Sequence, residues 1–278
     1  MDNHSMDDDH RISVVINTYN AERLLTEVLE AAIGFDEIVV CDMESTDHTL
    51  EIAEKYGCKI VIFPKGEHTI VEPARQFALD AASYPWILVV DADEIIPHEL
   101  HDYLYEQIGK PNPPDGIYIP RQGYFMNKPL HLSYPDYQLR FFAKDKTTWP
   151  PIIHIQPEVN GKCVHIPKSR HDLALLHLAN DTVSGLAQKA NVYTDNDLNK
   201  KLNKNYGCMA LVFRPIWKIF QCLFLEGGIR DGKRGLIKSV MNGYYQFLLT
   251  AKVIERKQDN LTAEKKEKEE KREEIKSE

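Results

Sequence analysis

The chain has 278 residues, 43% hydrophobic and 27% charged, with a formal net charge of −8. That is enough apolar side chain for one large core with an appendage, and the negative balance argues against a nucleic-acid binder. Cys41, Cys58, Cys163, Cys208 and Cys222 include no CxxC pair and are odd in number, which supports neither a zinc knuckle nor a disulfide framework and suits a reducing compartment.

The charge is uneven, acidic at the start of the chain and basic from Lys200 to Lys238. The opening MDNHSMDDDHR lacks the basic n-region and apolar core of a secretory signal, so the expectation is a cytoplasmic protein.

Taken in order, Ile12 to Ile16 is a β-branched apolar run that ends in the polar loop Asn17-Thr18-Tyr19-Asn20. Leu24, Leu25, Val28, Leu29 and Ile33 then recur at helical spacing. The pattern repeats as a strand over Glu37–Cys41, a polar loop over Asp42–Asp47, a helix over Thr49–Tyr56 capped by Gly57, and a strand over Lys59–Phe63. A further helix carries Ala74, Phe77, Ala78, Ala81 and Ala82, and Trp86–Val90 is apolar throughout, as a strand covered on both faces must be. This alternation predicts an open, mostly parallel α/β sheet with its ligand beyond the carboxyl ends of the strands. After about Pro111 the alternation stops, and Gly116–Pro120, Tyr137–Ala143 and Cys163–Ile166 read as shorter strands that complete the sheet on the acceptor side.

Asp91-Ala92-Asp93 carries the sharpest chemistry. A bare DxD is commonly a solvated turn, but here it closes the buried strand Ile87-Leu88-Val89-Val90, where two carboxylates can approach one Mg²⁺ or Mn²⁺ that keeps positions open for phosphate oxygens. Asp42, also at a strand end, suits hydrogen bonds from a ribose or base. The plainer reading makes it part of a capping network with Ser45, Thr46 and Asp47, and the two are compatible. Arg75 is either a diphosphate contact or a surface arginine on an amphipathic helix. The first strand is followed by no G-x-G-x-x-G, which excludes a Rossmann dehydrogenase, and by no Gly-rich basic loop, which counts against a nucleotidyltransferase.

Ile12-Ser13-Val14-Val15-Ile16-Asn17-Thr18-Tyr19-Asn20, Asp42 with Ser45-Thr46-Asp47, Ala74-Arg75-Gln76-Phe77-Ala78 and Asp91-Ala92-Asp93-Glu94 together resemble the ordered motifs of family-2 glycosyltransferases. Tyr134-Pro135-Asp136-Tyr137-Gln138-Leu139-Arg140-Phe141-Phe142 and Asp231-Gly232-Lys233-Arg234-Gly235 resemble the branch that includes bacterial lipopolysaccharide-core β-glucosyltransferases. The resemblance spans residues 11 to 253. It implies a GT-A fold, a Rossmann-like, mostly parallel sheet flanked by helices, here with a C-terminal helical appendage. It also implies inverting transfer from a nucleotide-sugar, with a UDP-linked donor and glucose as the family-weighted sugar, to a glycan or lipid-linked acceptor in cell-envelope polysaccharide or lipopolysaccharide synthesis. The donor contacts it implies are Thr18, Tyr19, Asn20, Glu22, Asp42, Ser45, Asp47, Arg75 and Asp91, with Mg²⁺ or Mn²⁺ at Asp91 and Asp93. A non-catalytic nucleotide-binding protein of the same fold is the alternative.

Two departures mark the chain. Met43 and Glu44 stand where glycines are common, and the usual His-Glu dipeptide is opened into His154-Ile155-Gln156-Pro157-Glu158. Inverting transfer needs a base for the acceptor hydroxyl, for which Glu158, then Asp136, then His154 are candidates. His177 is either a core-edge histidine bonded to a backbone carbonyl or a third metal ligand.

The expected organisation is a disordered N-terminus over 1–10, a catalytic domain over 11–180, a helical region over 181–254 and a charged tail over 255–278 that is a solvated helix or disordered. The apolar stretches 208–225 and 236–253 are interrupted by polar residues, against a membrane span. The aromatic residues and cations in the first suit an interfacial helix on the cytoplasmic membrane surface, with packing on the catalytic domain as the plainer alternative.

Overall fold

The computed structural model describes residues 9–66, 71–132, 134–151, 155–178 and 182–277, with side chains as far as 262. The chain divides into two compact units, Met1–Tyr124 with Tyr134–Ala179, and Phe125–Ser133 with Asn180–Glu278.

In the first unit β1 (Ile12–Thr18), β2 (Glu37–Asp42), β3 (Lys59–Ile62) and β4 (Trp86–Asp91) are joined by α1 (Glu22–Ala31), α2 (Thr49–Lys55) and α3 (Glu72–Ala81). They run parallel in the order β3-β2-β1-β4. Every residue of β1 is buried because both faces are covered, and its side chains divide with the two-residue period of a strand. Ile12, Val14 and Ile16 pack with Leu25, Val28 and Leu29 of α1 on one face, while Val15 joins Ala74, Ala78 and Leu79 of α3 on the other. Gly57, at φ 68, ends α2 in the left-handed conformation expected of a C-cap glycine, its N–H donating to Glu54 O at 2.9 Å.

Beyond β4 come β5 (Glu94–Ile95), α4 (His98–Ile108), β6 (Gly116–Phe125), the two-residue β7 (Lys128–Pro129), β8 (Asp136–Ala143), β9 (Thr147–Thr148), β10 (Glu158–Val159), β11 (Cys163–His165) and β12 (Leu175–His177). The sequence reading passed over α4, which buries Leu100, Leu104 and Ile108 at four-residue spacing. The sheet continues as β4-β8-β6-β12-β5, antiparallel from β4 to β8, from β8 to β6 and from β12 to β5. The chain is thus a mostly parallel α/β sheet flanked by helices, with C-terminal helices.

The second unit contains α5 (Val183–Lys201), α6 (Cys208–Phe220) and α7 (Lys233–Ser277). The interruptions read in 208–225 do not break the helix: it runs through Pro215 and passes into a π turn at Gln221–Leu225. Residues past Glu255 are helical rather than coil as far as Ser277. Contacts between α6 and α7 run in opposite senses, Pro215 and Ile219 against Gly243 and Arg214 against Gln246 and Thr250, so the two form an antiparallel hairpin. The Asp231-Gly232-Lys233-Arg234-Gly235 run is the clasp of this unit. Buried Asp231 accepts N–H bonds from His131 and Leu132 at 2.9 and 3.0 Å, and Arg234 donates to Phe125 O and Pro129 O. Gly235 packs so closely on Gly228 that an added Cβ would lie 1.9 Å from the Gly228 carbonyl oxygen.

Candidate active site

The parallel register puts three polar strand ends at one level, Thr18 opposite Asp42 and Asn17 opposite Asp91. Asp42 is fully buried and occupied: it accepts from Thr18 Oγ1 at 2.8 Å, Ser45 N at 2.8 Å and Ser45 Oγ at 2.5 Å. The neighbouring loops lock together around it. Asn20 N donates to Ser45 Oγ and Asn20 Oδ1 accepts from Thr46 N, both at 2.8 Å, Glu22 N donates to Asp47, and Glu22 accepts from His48 N at 3.0 Å. Tyr19 is left exposed at the rim, with Lys65 Nζ 4.8 Å above its ring. The glycine departure now has a physical meaning. Glu44 adopts φ 61, a conformation that costs glycine nothing, whereas Met43 is simply buried.

Asp91 lies between two guanidinium groups. Arg75 Nη2 donates to its Oδ1 at 2.7 Å, and Arg140 Nη2 makes a very short contact with Oδ2. From there the charges alternate. Arg140 also bonds Glu94 Oε1 at 3.1 Å, Arg121 Nη1 bonds the same oxygen at 3.1 Å, and Arg121 Nη2 bonds Asp136 Oδ2 at 2.5 Å. Three arginines and three carboxylates form one row that is neutral in sum. Burial would raise the Asp91 pKa, but Arg140 and Arg75 outweigh it and hold the carboxyl well below the usual range. Burial likewise works against the charge on Arg140, and Asp91 and Glu94 more than restore it, so its pKa is raised.

The sequence reading gave no role to Glu94, Arg121 or Arg140. Glu94 is wholly buried, with its other oxygen accepting Asp91 N at 3.0 Å. The available signal for Arg140 was a charge inside the apolar run Leu139-Arg140-Phe141-Phe142, since an interior charge must be paired.

A cavity of about 360 Å³ opens beside this row, lined by Glu72, Arg75, Asp91, Arg121, Gln138 and Trp149 among others. Arg75 lies over the Trp149 ring at 4.9 Å, and its buried Nη1 has no hydrogen-bond partner. A second cleft, by Tyr84, Pro85 and Lys144, lies at the opposite end of β4, away from the loops that follow the strands.

Asp93, two residues beyond Asp91, faces elsewhere. Antiparallel pairing of β12 with β5 sets His177 opposite Glu94, Leu178 N donates to Asp93 O at 2.8 Å, and His177 Nε2 comes within 3.3 Å of Asp93 Oδ2. Both side chains are partly exposed. His177 therefore meets a carboxylate, while Asp91 is turned to the arginines. Among the described residues no three His, Cys, Asp or Glu side chains form a ready metal cluster.

Of the base candidates, Asp136 belongs to the charged row and also accepts from Gln138 Nε2 at 2.9 Å. Glu158 sits exposed on the separate two-stranded ribbon of β9 and β10, and His154 lies outside the described residues. Burial pushes the Cys41 thiol up to about 12 and the Cys58 thiol up to about 11, so neither is a ready nucleophile.

Known proteins resemble this chain over most of its length. The family model for glycosyl transferase family 2 matches residues 13–161, more than half the chain. An uncharacterized glycosyltransferase of Rickettsia conorii is 26% identical over 262 residues, covering 88% of this chain and 90% of the relative. The lipopolysaccharide core biosynthesis glycosyltransferase LpsC of Rhizobium meliloti is 26% identical over 263 residues, covering 88% and 92%. The structure of Staphylococcus aureus TarS 1–349 aligns with 83% of this chain and 89% of its own at 17% identity and a TM-score of 0.45, too distant to add to the argument. With its strand-end motifs and the greater part of the sheet inside the matched region, the chain belongs to glycosyl transferase family 2.

Proposed function

We propose that the protein is a cytoplasmic, inverting glycosyltransferase that moves a sugar, with glucose the first to test, from a UDP-linked donor to a saccharide or lipid-linked acceptor of the cell envelope. The observation that carries the reading is the pairing of Asp93 with His177 at 3.3 Å, beside a strand end where Arg75, whose buried Nη1 has no hydrogen-bond partner, lines a cavity. The lipopolysaccharide part of the proposal draws on LpsC, whose similarity runs along 88% of the chain.

One carboxylate oxygen and one imidazole nitrogen, both partly exposed, fit Mg²⁺ or Mn²⁺, which is usually bound by few protein ligands and keeps places for phosphate oxygens. A divalent cation held by Asp93 and His177 would supply Lewis-acid stabilisation of the leaving diphosphate. Asp91, already committed to Arg75 and Arg140, holds Arg75 at the wall of the cavity, where its guanidinium would attract a phosphate oxygen. Tyr19 offers an exposed aromatic face for the base, and the Asn20–Ser45–Asp42 network holds the loop that carries it. On the acceptor side Asp136 accepts the hydroxyl proton as the new bond forms, with Arg121 fixing its orientation.

Titration calorimetry with UDP, with and without Mn²⁺, tests the site on the intact chain, Asp93→Asn and His177→Ala. Loss of a metal ligand should weaken Mn²⁺-dependent UDP binding by at least about tenfold in each variant. Metal-dependent binding of undiminished strength in both would remove Asp93 and His177 from the site.

A further inference from the structure

The second unit carries an apolar surface that the transfer chemistry does not use. Over Cys208–Leu225 the mean hydropathy is 1.5, yet only 6% of the stretch is buried. Met209, Phe213, Ile216, Trp217, Phe220 and Phe224 recur at helical spacing and are all exposed, with Trp217 and Phe220 stacked at 5.6 Å and Phe224 at 4.9 Å from Phe220. On the first half of α7 the exposed large apolar residues are Leu236, Val240, Tyr244 and Phe247, spaced by four, four and three. In an antiparallel pair packed through Ile219 and Gly243, the 3.6-residue turn brings Val212 and Ile216 of α6 and this α7 stripe to the same flank of the hairpin. A soluble monomer rarely leaves so large a continuous apolar face in water.

Charge identifies the occupant. Between Lys200 and Lys238 there are nine Lys or Arg and two acidic residues, Glu226 and Asp231, in a chain whose net charge is −8. The cations on α6 itself point away from the apolar stripe. Arg214 bonds Thr250 at 3.1 Å and Gln246 at 2.8 Å, and Lys218 bonds Glu226 at 3.0 Å. Such a helix has one greasy face and one tethered polar flank. Spanning a bilayer would put Arg214 and Lys218 near its centre, whereas lying in the interface leaves both in place. Pairing with a second copy would bring two identically basic surfaces together, which disfavours self-association.

We propose that the exposed face of the α6–α7 hairpin docks on an anionic lipid surface, with Phe213, Trp217, Phe220 and Phe224 entering the headgroup boundary and the surrounding bases meeting the lipid charges. This is independent of the donor-site reading. Vesicle docking and UDP binding fail separately.

The test is co-sedimentation of the full chain with phosphatidylcholine vesicles and with phosphatidylcholine vesicles containing phosphatidylglycerol, at low and high salt, with UDP binding and circular dichroism as controls. Two variants accompany it, Phe213→Glu/Trp217→Glu and Lys204→Gln/Arg230→Gln/Lys233→Gln. The intact chain should pellet with the anionic vesicles and be released by high salt or alkaline carbonate. The glutamate pair should abolish pelleting with UDP binding unchanged. The glutamine triple should weaken binding to anionic vesicles by up to about 100-fold at low salt, as three surface charges near a lipid layer require. The proposal fails if the intact chain stays in the supernatant with both vesicle types. It fails equally if the chain resists carbonate extraction as a spanning protein does, or dimerises without lipid and is returned to monomer by the glutamate pair.

Discussion

Arg140→Met isolates what the charged row contributes to the fold. Methionine fills much of the arginine stem's space in the apolar run of β8, so the substitution removes mainly the guanidinium from between Asp91 and Glu94. Breaking a buried ion pair by deleting one partner costs roughly 3–5 kcal/mol. Here the lower end applies, because Asp91 keeps Arg75 at 2.7 Å and has a side chain 27% exposed, and Glu94, although fully buried, keeps Arg121 at 3.1 Å. A loss of ~3 kcal/mol at about 2–4 °C per kcal/mol predicts a Tm lower by ~6–12 °C in calorimetry at neutral pH. The pH dependence has a definite sign. A carboxylate with a depressed folded pKa stabilises the fold above its unfolded value, about 3.9, and loses that contribution as pH falls through the folded value. Arg140 is the larger of the two charges that depress Asp91, so the gap between intact protein and variant should be full above about pH 4 and narrow in more acid solution. High salt should change the gap little, since Arg140 and Glu94 are buried. A variant melting within 2 °C of the parent, by the same size rule about 1 kcal/mol or less, would show that the row is not the buried network described.

Asp136→Asn should lower transfer to acceptor by at least about 100-fold, the usual worth of a positioned base, while leaving Mn²⁺-dependent UDP affinity within about twofold. Equal loss of both, measured as turnover against calorimetric affinity, would make Asp136 a structural partner of Arg121. Gly235→Ala puts a Cβ 1.9 Å from the Gly228 carbonyl oxygen and 2.9 Å from Asp231 Cβ, contacts that backbone must move to relieve. Overpacking of this kind costs about 1–3 kcal/mol, more than the ~1 kcal/mol that alanine gains over glycine in a helix, so urea unfolding should show a net loss. A stabilised variant would mean that α7 does not approach Gly228 so closely.

How much of this was legible in the sequence depends on whether the signal was local. The run Ile12–Ile16 and the run ending in Asp91 declare buried parallel strands by composition alone, and a polar residue that stops such a run must lie at the sheet's carboxyl edge. The division of labour within Asp91-Ala92-Asp93 had no such signal. Two carboxylates two residues apart look equivalent until β8 pairs with β4, Leu88 opposite Phe141, and carries Arg140 to the first of them. Only then does the second stand apart, and its partner comes from β12, far along the chain and joined to β5 through a three-residue strand too short to show periodicity. A charge flanked by buried apolar neighbours, as Arg140 is, does announce from sequence that an acidic partner must exist, because a lone guanidinium there could not repay its desolvation. Which acid serves is a property of strand order. In this fold strand order gives Asp91 to the arginines and leaves Asp93 to His177.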